Sequence, residues 1–134
     1  MQRTYLNPDG LAAPPEPYSH AIRCGDTLYI AGQVAFDEQN RVVGIGDPRR
    51  QAEQVWRNIR LAVEASGGTL ADIIKITVFL QDIRHAGAEI SVREGLFTPG
   101  RFPICTLVQV ANLGLPDLLM EVDAVAVLSG GEGP

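Results

Sequence analysis

Phe102-Pro-Ile-Cys-Thr-Leu-Val-Gln-Val-Ala111, the Gly/Pro turn Asn112-Leu-Gly-Leu-Pro-Asp117, and Leu118-Leu-Met-Glu-Val-Asp-Ala-Val-Ala-Val-Leu128 together read as two long strands joined as a hairpin. The first strand starts with a thiol and a hydroxyl, Cys105 and Thr106. The second carries Glu121 and Asp123, which the two-residue period of a strand places on one face. An unpaired charge buried in an apolar run costs several kcal/mol, so these carboxylates are solvated, paired or used.

Upstream, Ile73-Ile-Lys-Ile-Thr-Val-Phe-Leu80 is a β-branched and aromatic strand with a single charge, and most of both its faces are expected to be covered. Between the two stretches a second helix is expected near Ala86 to Phe97, with Ala86, Ile90, Leu96 and Phe97 as a partial stripe; Gly87 and Gly95 weaken it. Asp47-Pro48 marks the start of a first helix, an N-cap acceptor followed by proline. Ala52, Val55, Trp56, Ile59, Ala62 and Val63 form its apolar stripe, with Arg49, Arg50, Glu53, Arg57, Asn58 and Arg60 opposite. Gly67-Gly68 stops it, and Thr69 to Asp72 is a short turn. Nearer the N-terminus, Tyr18 to Cys24 and Thr27 to Gly32 read as a hairpin turning at Gly25-Asp26. Gly32-Gln33 is a place where bare backbone can approach a ligand. Val34-Ala35-Phe36 and Val42-Val43-Gly44 are short strand candidates, and the proline-rich residues 7 to 17 are irregular.

The order strands, helix, strand, helix, strand, strand gives an α+β fold: a mixed sheet with two helices on one face. The second sheet face also carries apolar residues, which points to an oligomer. Residues 1–128 are expected to form one domain and residues 129–134 a disordered tail. At 134 residues and 46% hydrophobic content the chain can build one core. A net charge of −5 argues against nucleic acid as a partner. No apolar run reaches the ~18 residues of a membrane span, and the N-terminus lacks a signal-peptide core, so no membrane partner and a cytoplasmic setting are expected. Cys24 and Cys105 have neither CxxC nor zinc spacing, and a disulfide is not expected.

No metal site is expected, because His20 and His85 belong to no Cys/His cluster. No phosphate loop or Ser/His/Asp motif is present either. Cys105 is a candidate nucleophile if a base or positive field forms its thiolate, and a small half-buried thiol otherwise. Glu121 and Asp123 are candidates for acid/base or water-positioning work, against a paired strand face.

At these residues the chain resembles the Rid family, the YjgF-like reactive intermediate imine and enamine deaminases formerly called L-PSP endoribonucleases. The resemblance spans roughly residues 4 to 128. It rests on Pro17-Tyr-Ser-His-Ala21, Ile30-Ala-Gly-Gln-Val34, Gly67 to Asp82, Phe102-Pro103, Val108 to Leu113 and Met120 to Ala126. It implies a chorismate-mutase-like two-layer fold and a homotrimer with sites in the clefts between subunits. It also implies hydrolysis of small enamines and imines to a carbonyl product and ammonia, with no cofactor and no metal. Residue by residue, it implies that Glu121 positions the attacking water and that Tyr18, Gly32, Thr106 and the main chain at Leu107 line the substrate.

One family position departs. Pro-Ala-Arg-Ser/Thr stands here as Pro103-Ile104-Cys105-Thr106, so a thiol replaces the arginine that grips a substrate carboxylate. Such a charged hydrogen bond contributes about 1.5–3 kcal/mol. A substrate other than 2-iminopropanoate is therefore expected. Arg93 and Arg101 are the cations nearest in sequence that could stand in. A Cys105-dependent hydrolase of another C–N bond and a non-catalytic metabolite-binding regulatory trimer are the alternatives.

Overall fold

The helix announced by Asp47-Pro48 is α1 (Pro48–Ala65), found in a computed structural model that describes residues 2–129. The Asp47 carboxylate accepts the Arg50 backbone N–H at 3.1 Å, satisfying one of the donors that a helix start leaves open. All six stripe residues are buried, and the chain leaves the helix through Gly67 at φ +89°. Asp47→Ala is expected to cost about 1 kcal/mol, seen as a lower urea midpoint at unchanged slope.

Asn58 departs from the expected polar side. It is buried, and its amide donates to the carbonyls of Val34 and Phe36, both at 3.0 Å. The reason lies in the segment it faces: instead of two short strands, residues 34–44 make a single bridge, Phe36 to Val42, which leaves carbonyls needing donors.

The second helix, α2 (Ala86–Glu94), ends at Gly95 and so is shorter than the expected 86–97. Leu96 and Phe97 lie beyond it but still reach the core, where Phe97 meets Trp56 edge-on at 5.6 Å. Ile90 is exposed, and the residue α2 buries is Glu89. Short 3-10 turns at Leu70–Asp72 and Ile83–His85 precede a strand and α2 respectively.

The strands are β1 (Arg3–Leu6), β2 (Ala21–Cys24), β3 (Thr27–Gln33), β4 (Ile73–Leu80), β5 (Ile104–Gln109) and β6 (Met120–Val127). They form one mixed sheet in the order β1-β2-β3-β6-β4-β5, antiparallel except for β4 with β5. This is the two-layer α+β fold, with β2 and β3 the expected hairpin turning through Gly25. β1 was not foreseen.

The stretch 102–128 is not a hairpin. β5 follows the α2 crossover and therefore lies parallel to β4, as strand–helix–strand units do. Residues 110–119 then pass over the end of β4, where Val110 N donates to Leu80 O at 2.8 Å and Gln81 N to Leu119 O at 3.1 Å. β6 thus enters on the far side of β4, between β4 and β3.

Leu28 and Ile30 of β3, Ile76, Val78 and Leu80 of β4, and Met120, Val122, Ala124 and Ala126 of β6 pack against α1. The other face of β4 is only partly covered: Lys75 is exposed, while Thr77 and Phe79 are half-buried. Paired residues share a face, so a row crosses that open side through Tyr5, Ile22, Tyr29, Val125, Lys75 and Ile104. Tyr29 is 54% and Ile104 67% exposed, so the open face carries exposed apolar residues, as expected. Cys24 and Cys105 stand on β2 and β5 with three strands between them, too far apart to bridge within the chain. Of the expected disordered tail, residues 130–134 lie outside the described residues.

Candidate functional site

Glu121 projects from β6 onto the open side of the sheet, opposite Phe79. On its other flank β3 is irregular: the register slips between Ile30 and Gln33, a bulge that places Gly32 beside Glu121. A Cβ on Gly32 would overlap the Glu121 carboxylate, meeting Cδ at 2.7 Å and Cγ at 2.8 Å. The bare backbone anticipated at Gly32 is thus first of all a bed for the chain's own glutamate. Gly32→Ala is expected to cost about 1–3 kcal/mol from overpacking. It should also lift Glu121 out of place even where denaturation curves show a folded protein.

Glu121 lines a cleft of about 480 Å³ together with Pro15, Glu16, Tyr18, Gly32, Val34, Phe36, Asn40, Gly114, Leu115 and Leu118. Burial first, and the Asp123 carboxylate second, raise the pKa of Glu121 above its ordinary 4.5. The Tyr18 phenol is also raised, by burial and then by Glu16 and Glu121. A carboxylate whose pKa is raised is a stronger proton acceptor when it is ionised. Asp123 belongs to the sheet instead: its Oδ1 accepts the Thr77 backbone N–H at 3.1 Å.

The cleft walls depend on polar residues that sequence reasoning passed over. His20 is buried, donating from Nε2 to the Ala12 carbonyl at 2.7 Å and accepting at Nδ1 from Gln33 at 3.2 Å, the tautomer this network requires. Its backbone N–H donates to Asn7 Oδ1 at 3.0 Å, and Asn40 reaches Ala13 O at 3.1 Å. These bonds pin the proline-rich segment that carries Glu16 and Tyr18. Gln51, fully buried on α1, donates to Asp117 O at 2.8 Å and accepts from Leu119 N at 2.9 Å, holding the loop that carries Leu115 and Leu118. One signal was available: Gln51 falls on the stripe of Val55, Ile59 and Ala62 at helical spacing.

Within the chain, Cys105, Thr106 and Leu107 do not join this cleft. β4 separates β5 from β6, so they stand two strand spacings, about 10 Å, from β6 and Glu121. Thr106 pairs with Thr77 and shares the open face. Cys105 pairs with Ile76 and Leu107 with Val78, on the helix side, with Cys105 exposed at the sheet edge. Arg93 is already engaged: its guanidinium holds buried Glu89 through Nη2 at 2.8 Å and Nε at 3.0 Å. Arg101 is exposed in the turn before β5.

No group of three or more His, Cys, Asp or Glu among the described residues is arranged to hold a metal. No helix among them is long and apolar enough to cross a membrane.

The family model described as Endoribonuclease L-PSP matches residues 10–128. A RutC family protein from Pyrococcus horikoshii is 37% identical over 110 residues, covering 82% of this chain and 86% of that one. The crystal structure of RidA from an Antarctic Psychrobacter superposes with a TM-score of 0.86 at 31% identity, covering 93% of this chain and 99% of that one. Escherichia coli TdcF with bound serine gives a TM-score of 0.85 at 26% identity, covering 94% of this chain and 99% of that one. A two-layer architecture of two helices on a mixed six-stranded sheet is common ground with these chorismate-mutase-like structures, and the chain belongs to the Endoribonuclease L-PSP family, the Rid or YjgF-like family.

Proposed function

We propose that the chain is a Rid-type hydrolase that converts small imines or enamines to a carbonyl compound and ammonia, with Glu121 as its proton acceptor. Family membership supports a YjgF-like small-molecule deaminase or a related function. The observation that carries the finer reading is the half-buried Glu121 carboxylate laid across Gly32 in a cleft with Tyr18. A water on that carboxylate adds its oxygen to the C=N carbon while its proton passes to Glu121. Glu121 returns that proton to nitrogen, giving the carbinolamine R₂C(OH)NH₂; its hydroxyl proton then passes by way of Glu121 to nitrogen, the C–N bond breaks, and ammonia leaves as the carbonyl forms (R₂C=NH + H₂O → R₂C=O + NH₃). Release of ammonia from imines generated in solution, compared between the native protein and Glu121→Gln, tests this directly. Equal acceleration by both would overturn it.

The reading includes a homotrimer. The exposed apolar row on the open face, Tyr29 and Ile104 among it, is surface that a self-associating protein covers. In that assembly one protomer supplies Tyr18, Gly32 and Glu121, and the β5 edge of its neighbour supplies Cys105, Thr106 and Leu107. Light scattering is expected to give three times the chain mass. Tyr29→Glu should reduce it toward one, because a charge would be desolvated at the contact.

A further inference from the structure

Charge in the cleft narrows what it can take. Its two ionisable carboxyl groups, Glu16 and Glu121, face the same space, and none of its lining residues is Lys, Arg or His. Val34, Phe36, Leu115 and Leu118 give it an apolar side, and Tyr18 and Asn40 are its other polar side chains. The nearby cations are committed or remote. Arg41, next to Asn40, is held by Asp37 with Nε at 3.0 Å from Oδ2. Lys75 shares the open face but sits four residues along β4 from Phe79, the partner of Glu121, a run of about 13 Å. The β5 edge that the proposed assembly would bring to this cleft carries a thiol, Cys105, and no Lys or Arg.

We infer that this cleft selects imines with no carboxylate beside the C=N carbon, taking a neutral or protonated C=N head toward Glu16 and Glu121 and an apolar substituent toward Val34, Phe36 and the 115–118 loop. The inference rests on the proposed hydrolase reading, because it names the substrate class of that same site. Two carboxylates facing one cleft repel a third and attract an iminium or ammonium group. A pocket of this volume takes one small molecule. The same charges make the product amine or ammonium compatible with the site and a 2-keto acid product incompatible.

The experiment uses two matched pairs on the full chain. Phenylacetaldehyde imine and 2-imino-3-phenylpropanoate, made in situ by an amine oxidase and an amino-acid oxidase, differ only by the carboxylate. Hydrolysis of the carboxylate-free imine is expected with kcat/KM at least about tenfold higher, and that activity should disappear in Glu121→Gln. Equal or greater activity on the 2-imino acid overturns the inference while leaving the hydrolase reading in place. Loss of that 2-imino acid activity in Arg101→Ala would then identify the cation responsible.

If neither imine is hydrolysed, the hydrolase reading fails and binding decides the charge question. By calorimetry, 2-phenylethylamine should bind at least about tenfold more tightly than 3-phenylpropanoate, with the difference reduced in Glu16→Gln and Glu121→Gln. Equal affinity, or no binding of the amine, overturns the inference.

Discussion

Glu121→Gln is expected to lower imine hydrolysis by about 10² to 10⁴-fold, the range that a positioned proton acceptor contributes. Glutamine has nearly the same shape, so the side chain can still lie across Gly32 and the sheet should remain intact. What disappears is the ability to accept a proton from water. The loss should fall on kcat more than on KM, because the amide still occupies the floor of the cleft. The native protein provides a second check. Since burial and then Asp123 raise the Glu121 pKa above 4.5, kcat/KM should fall as pH drops through a value above that of an ordinary glutamate. This is the sign for a group that works ionised: active above its pKa, lost below it. Asp123→Asn removes one of the two causes and should move the acid limb down. Tyr18 offers a third readout. Part of the upward shift of its phenol comes from Glu121, so Glu121→Gln should lower that pKa.

Glu89→Ala is expected to cost about 3–5 kcal/mol, a larger loss than any surface change. Glu89 has no solvent exposure, and the Arg93 side chain bound to it is 14% exposed. The same carboxylate accepts the Trp56 indole N–H at 2.9 Å, tying α2 to α1. Removing it strands a guanidinium and an indole donor between the helices. A fall of roughly 10–20 °C in Tm follows for a chain of this size. Trp56 is the only tryptophan, so its emission should shift red as the helix contact loosens. Replacing both Glu89 and Arg93 with leucine should recover much of the loss, since paired buried charges are often no better than well-packed apolar residues. Failure of the double variant to recover would mean that the ion pair also positions α2.

Why Glu89 escaped the sequence reading is instructive. A glutamate four residues before an arginine on a helix reads as a solvated pair, and only the position of Trp56 turns it inward. Asn58 and Gln51 are similar cases, since their burial depends on carbonyls presented by distant loops. The apolar stripe and the Asp47 cap of α1 were legible because they are local, and so were the β2–β3 turn and the strand character of β4, β5 and β6. The pairing of β5 with β6 was misread, because neighbours in sequence joined by a Gly/Pro turn favour a hairpin, whereas the α2 crossover commits β5 to lie parallel to β4. At the site, Glu121 stood out as a charge in an apolar strand and Gly32 as bare backbone. Tyr18 entered through the family resemblance. The ring of His20, Gln33 and Asn40 bonds that shapes the cleft wall had no signature, since each bond joins segments far apart in sequence.

The place of β6 in the sheet also governs when this protein can come into being. Every other strand precedes β6 in the chain, yet β6 lies between β3 and β4 and joins the two halves of the sheet. On the ribosome, the β1–β3 ribbon and the β4–β5 pair emerge with their inner edges unfilled and open to pairing with other chains. Closure has to wait until residues 120–127 are free of the exit tunnel, so the fold is completed after synthesis of these elements and through contacts distant in sequence, a slow class of folding. Glu121 arrives on that closing strand. A partly made chain therefore exposes sticky edges and lacks the Glu121 side of the cleft, which forms only when the sheet is sealed.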